Sequence, residues 1–217
     1  MTCPVVIIGA GGHATVVADA LLEAGERVLG FTDADASLHG TTRLGLAVLG
    51  GDDALRQYRP EDVRLANGLG FVSGTGRGSV RARAQQRLEA AGWTFVGVRH
   101  PRAIVSRHAT LGAGSQVLAG AIVQAGARVG ANTIVNTAAV VEHDAVVGEW
   151  CHVAPRATLC GQVRVGAGSL VGAGAVLRQS ISIGEDTLVG AGAVVVKDSP
   201  GRETLCGVPA RPPGTKQ

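Results

Sequence analysis

The sequence predicts two units of different class in one chain: a short α/β unit over residues 1–100, then a parallel β-helix of hexapeptide repeats over 101–217. Three observations carry this expectation. A glycine-rich turn directly follows the apolar run PVVIIGA near the N-terminus. From Val105 onward every sixth residue is aliphatic. Aromatic residues make up only 3% of the chain while glycine reaches 33 of 217 residues, so any core must be assembled from small side chains.

In chain order, residues 4–10 read as a short buried strand. The run Gly9-Ala10-Gly11-Gly12-His13-Ala14 then opens the helix HATVVADALLEAG, and a second strand, RVLGFTD, ends at Asp33. This is a βαβ unit carrying the G-x-G-x-x-A variant of the dinucleotide fingerprint, with an acidic residue about twenty positions on. The glycines allow close approach of a ligand to the backbone, and the helix N-terminus offers N–H groups to phosphate. Gly9, Gly11, Gly12 and Asp33 are therefore candidate nucleotide contacts, with His13 standing in the turn where small residues usually face a pyrophosphate. Further strands are expected at 45–49 and 65–70, a helix over SVRARAQQRLEAAG, and a last strand at TFVGV. That amounts to half of a doubly wound, Rossmann-type domain, with room for one nucleotide moiety rather than a whole dinucleotide.

Stepping by six from Val105 through Leu111, Val117 and Val123 to Val195 gives sixteen aliphatic residues without an insertion. Two positions before most of them sits a small residue, such as Ala121, Thr133, Ala145 or Cys151, and glycine often follows, as in Val147-Gly148. A period of six is neither the ~3.6 of an α-helix nor the alternation of a simple strand. It fits a short strand plus a turn, with the aliphatic residue pointing inward, and it identifies a hexapeptide β-helix. The pattern resembles the left-handed kind, in which three hexapeptides close one triangular coil. The handedness rests on that resemblance, because the general crossover preference is right-handed. About five coils at strand spacing give a height of roughly 25 Å. Cys151 falls at an inward small position and reads as core filler rather than nucleophile.

Within the repeat lies VVEHDAVVGEWCHVAP. Polar groups in such a run need partners or a task. Val141 points inward, so Glu142 points outward, and His143 and Asp144 fall at a corner of the triangle. Gly161 is one coil above His143, which predicts space beside the imidazole for a ligand. His152 follows nine residues after His143.

The net charge is +3, with ten basic and ten acidic residues in 1–100 and ten against seven in the remainder. This lacks the clustered basic stripe of a nucleic-acid binder. No apolar run reaches the length of a membrane span, and the N-terminus has no signal-peptide character. Cys3, Cys151, Cys160 and Cys206 follow no metal or disulfide spacing, which predicts reduced thiols and a cytoplasmic protein.

The combination of Gly11-Gly12-His13, Asn136-Thr137, Glu142-His143-Asp144 and Gly207-Val208-Pro209-Ala210 resembles the bacterial nucleotide-sugar acetyltransferase family. That family includes sialic-acid O-acetyltransferases and UDP- or GDP-amino-sugar N-acetyltransferases, within the hexapeptide-repeat acyltransferase superfamily. The resemblance implies that His143 is the general base and that Asp144, where many relatives have glutamate, orients it. It implies that Gly9, Gly11, Gly12, His13, Asp33 and Asp35 bind the nucleotide, that Asn136 lines the sugar pocket, and that His152 lies near the acetyl group. Acetyl-CoA would lie between adjacent β-helices of a homotrimer, against Gly161, Ala173, Ala191 and Pro209, and no metal is implied. The expected reaction is transfer of acetyl from acetyl-CoA to the 4-amino group of a nucleotide-linked 4-amino-4,6-dideoxy sugar. GDP-perosamine or a UDP- or dTDP-linked analogue is such a sugar, and its use would be in surface polysaccharide synthesis. An imidazole titrating near neutrality suits removal of a proton from an amine, and a carboxylate on its other nitrogen sets the tautomer.

Four alternatives compete. A sugar or sialic-acid O-acetyltransferase differs only in the acceptor atom. A γ-class carbonic-anhydrase-like zinc enzyme shares the β-helix but needs a closer histidine pair than His143 and His152. An NAD-dependent sugar oxidoreductase would need a second half-domain and a Tyr-x-x-x-Lys pair, whereas the only tyrosine is Tyr58. A trimerising scaffold would need no base at all.

Overall fold

The computed structural model describes residues 3–70 and 79–214. It divides into an α/β unit that ends at Pro101 and a second unit that begins at Arg102.

The first unit is built on a sheet of β1 (Val5–Ile8), β2 (Val28–Thr32), β3 (Thr42–Arg43), β4 (Leu46–Gly50) and β5 (Arg64–Asn67) in the order β3-β4-β2-β1-β5. β1 pairs in parallel with both β2 and β5. All four of its residues are buried, which is why it is continuously aliphatic rather than alternating. Only β3 runs antiparallel, as a short edge hairpin with β4. The helix α1 (Gly12–Glu23) buries Ala14, Val17, Ala18 and Leu21, the spacing of a helical apolar stripe. It stops where Gly25 takes a left-handed φ of 77° and its N–H donates to the Leu22 carbonyl at 2.9 Å. The second helix, α2 (Val80–Ala90), starts at Ser79, whose hydroxyl accepts the Ala82 N–H at 3.1 Å.

The expected strand at TFVGV is corrected to two separate pieces: Phe95 makes a single parallel bridge to Leu65, and Val98 opens the two-residue strand Val98–Arg99. Leu65 exchanges hydrogen bonds with Thr94 and Val96, both at 2.8 Å. Gly97 then supplies no side chain to sustain the ladder. The strand expected at 65–70 shortens to Arg64–Asn67 because the chain leaves the sheet at Gly68. A Cβ on Gly68 would come within 2.7 Å of the Ala14 Cβ, so this segment lies directly on α1.

The second unit is a left-handed parallel β-helix of two-residue strands. One face runs from Ile104–Val105 to Val194–Val195, the second from Thr110–Leu111 to Ser182–Ile183, and the third from Gln116–Val117 to Thr204–Leu205. Strands pair in register with their equivalents eighteen residues on, as Val123 with Val141 and Val141 with Leu159, until Leu188–Val189, which pairs with Thr204–Leu205 sixteen residues on. The inward column from Val117 to Val195 is buried, interleaved with Ala121, Ala127, Ala139, Ala145, Cys151 and Ala157. Val105 and Leu111, in the first coil, are only partly buried. At the corners the chain turns through left-handed backbone, and non-glycine residues adopt it repeatedly: Asn132, Ala138, Trp150 and Arg156 have φ of 59°, 56°, 56° and 59°.

Since Leu159 is fully buried in this narrow core, Leu159→Ala is expected to cost about 2–5 kcal/mol. The midpoint of denaturant unfolding checks this, and a shift no larger than that of a surface substitution would contradict the packing described.

Candidate active site

In the α/β unit, the turn after β1 is held by its own backbone. Gly9 has φ of 95° and donates its N–H to the Thr32 carbonyl at 2.6 Å. That left-handed φ disfavours any side chain, and a Cβ on Gly9 would also approach Leu69 Cδ2 to 2.8 Å. Gly11 and Gly12 differ: nothing lies within 4 Å of an added Cβ, and both are exposed where α1 begins. His13, half-buried in the first turn of α1, stands beside Gly70, whose added Cβ would lie 3.1 Å from the His13 Cβ.

Asp33 braces this turn. Its Oδ2 accepts the Ala10 N–H at 2.6 Å and its Oδ1 accepts the Asp35 N–H at 2.9 Å. Asp35 is used locally as well: Oδ1 accepts the Ser37 hydroxyl at 2.7 Å and the Ser37 N–H at 2.9 Å. Those bonds hold its carboxyl below the usual aspartate range. Beside them opens a cleft of about 180 Å³ at the C-terminal ends of β1 and β2, lined by Ile8, Gly9, Thr32, Asp33, Leu69 and Val80 among others.

Sequence reasoning missed the buried network behind this turn. Arg81 donates through Nη1 to the carbonyls of Asn67 and Leu69, at 2.9 and 2.8 Å. The Asn67 side chain donates to Gln85 Oε1 at 2.9 Å and accepts the Leu69 N–H at 3.1 Å. Burial pulls Arg81 down to about 9, so it stays cationic at neutral pH and ties the end of β5 to α2. The available signal was two polar residues, Arg81 and Gln85, on the helical stripe that ends in buried Leu88.

In the β-helix, His143 and Asp144 occupy a corner turn, as the repeat predicts, with Asp144 at φ of 58°. His143 Nδ1 lies 3.0 Å from Asp144 Oδ2. Glu142 Oε2 accepts the His143 N–H at 3.2 Å, and the His143 carbonyl accepts from Gln162 N at 2.9 Å. An ionised Asp144 requires the proton on Nδ1, which leaves a free lone pair on Nε2. Gly161 does not leave empty space beside the ring. A Cβ there would overlap His143 Nε2 and lie 2.7 Å from Cε1, so the imidazole itself occupies that volume.

Asn136 and His152 meet one coil apart, with Asn136 Nδ2 3.0 Å from His152 Nε2. Asn136 Oδ1 already accepts the Thr137 N–H at 2.7 Å, so its amide donates and Nε2 accepts. Ala173 and Ala191 stack one coil apart at an exposed corner, joined by the Gly192 N–H to the Ala173 carbonyl at 2.8 Å. Pro209, exposed, follows a cis peptide bond in a C-terminal segment that returns to the prism through the Ala210 N–H to the Val194 carbonyl at 2.8 Å. Cys151 is core: burial pushes its thiol up to about 12, and Sγ donates to the Gly166 carbonyl at 3.2 Å. Among the described residues, no three His, Cys, Asp or Glu side chains gather as metal ligands.

Within one chain these groups belong to different corners. His143 lies at the corner of residues 143–144. Asn136, Ala173 and Ala191 belong to the corner that carries 137–138, 173–174 and 191–192, and His152 is on the face leading into it. One face separates the two, roughly 15 Å at about 3.3 Å per residue. General base catalysis requires contact within about 3.2 Å, so His143 and His152 of the same chain do not share a reacting atom.

Residues 4–88 match the family model described as the PglD N-terminal domain. No significant match is found among curated proteins. Among solved structures, a histidine-to-asparagine mutant of perosamine N-acetyltransferase from Caulobacter crescentus, in complex with CoA and GDP-perosamine, is 39% identical. That match covers 98% of this chain and 97% of the other, with a TM-score of 0.88. The acetyltransferase domain of PglB from Neisseria gonorrhoeae is 35% identical over 97% of this chain and 100% of its own, with a TM-score of 0.87. WeeI from Acinetobacter baumannii, 24% identical over 97% and 100% with a TM-score of 0.84, shares the fold. The chain belongs to this family of hexapeptide-repeat amino-sugar N-acetyltransferases.

Proposed function

We propose that the protein transfers acetyl from acetyl-CoA to the 4-amino group of a nucleotide-linked 4-amino-4,6-dideoxy sugar, with His143 as general base. GDP-perosamine or its UDP- or dTDP-linked analogue is the expected acceptor. The observation that carries this reading is the corner dyad, in which a carboxylate 3.0 Å from Nδ1 leaves Nε2 to accept a proton. The complex of the 39%-identical relative with CoA and GDP-perosamine supports the choice of both substrates.

In this reaction the amine nitrogen attacks the thioester carbonyl and its proton passes to His143 Nε2. The tetrahedral intermediate collapses, breaking the C–S bond, and the CoA thiolate takes up the proton. A thiolate leaves readily, so no covalent enzyme intermediate is needed. Gly11, Gly12 and the start of α1 would receive the diphosphate. The cleft of about 180 Å³ beside Asp33 is small against the ~300–1,000 Å³ of complete ligand pockets, and suits one moiety of the nucleotide. His13 would border the same turn. Asp33 and Asp35, whose carboxylates are engaged with the protein's own N–H groups, would act by shaping the turn.

The separation of His143 from Asn136 and His152 favours a site assembled between chains, in a homotrimer with the acetyl-CoA against Ala173, Ala191 and Pro209. Such an enzyme would serve surface-glycan synthesis in the cytoplasm.

The test is a panel of GDP-, UDP- and dTDP-linked 4-amino-4,6-dideoxy sugars incubated with acetyl-CoA, following thiol release, with the hydroxyl analogues alongside. One amino sugar should be acetylated at nitrogen in preference to the rest. Turnover confined to the hydroxyl analogues or to free sialic acid would overturn the acceptor assignment.

A further inference from the structure

One coil below the His143–Asp144 corner lies Gly126, at the equivalent turn position with φ of 75°. The Asp144 N–H donates to the Ala125 carbonyl at 3.1 Å, which stacks the two corners. A Cβ built on Gly126 would overlap Asp144 Oδ1 and lie 3.3 Å from its Cγ. The carboxylate therefore rests directly over the Cα of Gly126, with its other oxygen turned to His143 Nδ1.

The backbone does not demand glycine here. Ala138 and Asn132 occupy equivalent corner positions at φ of 56° and 59°. Gly120, at the neighbouring corner with φ of 68°, would receive a Cβ with nothing nearer than 3.9 Å. What distinguishes position 126 is the Asp144 side chain above it.

We infer that Gly126 is a positioning residue for the dyad: the missing side chain is what lets the Asp144 carboxylate lie in the one orientation that meets Nδ1. A methyl group would lever Oδ1 outward, and Oδ2 turns with it because the carboxylate is a rigid plane. The inference rests on the reading that Asp144 supports His143 in catalysis.

The experiment compares Gly126→Ala with Gly120→Ala, alone and in the Asp144→Ala background. Gly126→Ala should lose roughly 10- to 100-fold in kcat, a share of the ~10²–10⁴ that general base catalysis supplies, with the KM for acetyl-CoA little changed. Gly120→Ala should stay within about twofold. In the Asp144→Ala background Gly126→Ala should cost no more than about twofold, since residues acting through one contact are non-additive. Losses that multiply, or a Gly126→Ala that matches Gly120→Ala, would overturn the inference. Nitrogen-15 NMR of labelled histidine gives a readout independent of turnover: the Nδ1–H tautomer of His143 should be depleted in Gly126→Ala and intact in Gly120→Ala. An unchanged tautomer refutes the role of Gly126. A depleted tautomer with wild-type activity in Asp144→Ala upholds that role and refutes instead the catalytic reading of Asp144.

Discussion

His143→Ala is expected to lower kcat by about 10²–10⁴-fold while both substrates still bind. The side chain is 60% exposed at a corner and belongs to no core cluster, so its loss leaves the prism intact. In the proposed mechanism, what disappears is the acceptor for the amine proton. A sugar ammonium has no lone pair with which to attack a thioester, and bulk water replaces the imidazole poorly as a base. Steady-state kinetics together with calorimetric titration of CoA separate the outcomes. Turnover within a few-fold of wild type would remove His143 from the chemistry and leave the β-helix as a scaffold. Lost CoA binding together with lost turnover would make it a binding residue.

Asp144→Asn is expected to reduce kcat by roughly 10²-fold or more, although the substitution is nearly isosteric. In the analogous carboxylate-to-amide change of a catalytic triad the loss reaches ~10⁴. The reason is the tautomer. A carboxylate 3.0 Å from Nδ1 can only accept, so it holds the proton there. An amide can present its NH₂ instead, which stabilises the ring with Nδ1 as acceptor and the proton on Nε2, where the base is needed. Since Asp144 is 60% exposed, the change should leave stability nearly untouched. The discriminating measurement is kcat beside the thermal midpoint: equal activity in Asp144→Asn would mean that the contact is incidental.

The architecture was legible because its signal is long. Sixteen aliphatic residues at one spacing leave little freedom, and every inward position from Val117 to Val195 is buried. The βαβ start was legible for the same reason, through an uninterrupted VVII. TFVGV does not form one strand: it meets β5 only at Phe95, and Val98 opens a strand of its own with Arg99, while β5 ends at Asn67, whose side chain meets Arg81 and Gln85. That side-chain network is set by tertiary contact and leaves only a weak trace in local sequence. The corner address of His143 followed from counting. The neighbours that shape it did not: Gly161 reads as an open place in the sequence, yet the ring fills it. Asp35 reads as a ligand contact, and the bonds its Oδ1 accepts from Ser37 depend on a turn that only the fold displays.

The left-handed corners carry a broader lesson about tolerance. Alanine, asparagine, tryptophan and arginine all occupy that conformation in this chain, although it disfavours side chains by about 1–2 kcal/mol in general. The inward column is confined to aliphatic and small residues, while the vertices away from the dyad hold alanine, asparagine, tryptophan and arginine alike. A molecule organised in this way can exchange reactive groups along its edges as readily as a rack exchanges tools, and new acceptor preferences can arise without renegotiating how the chain folds.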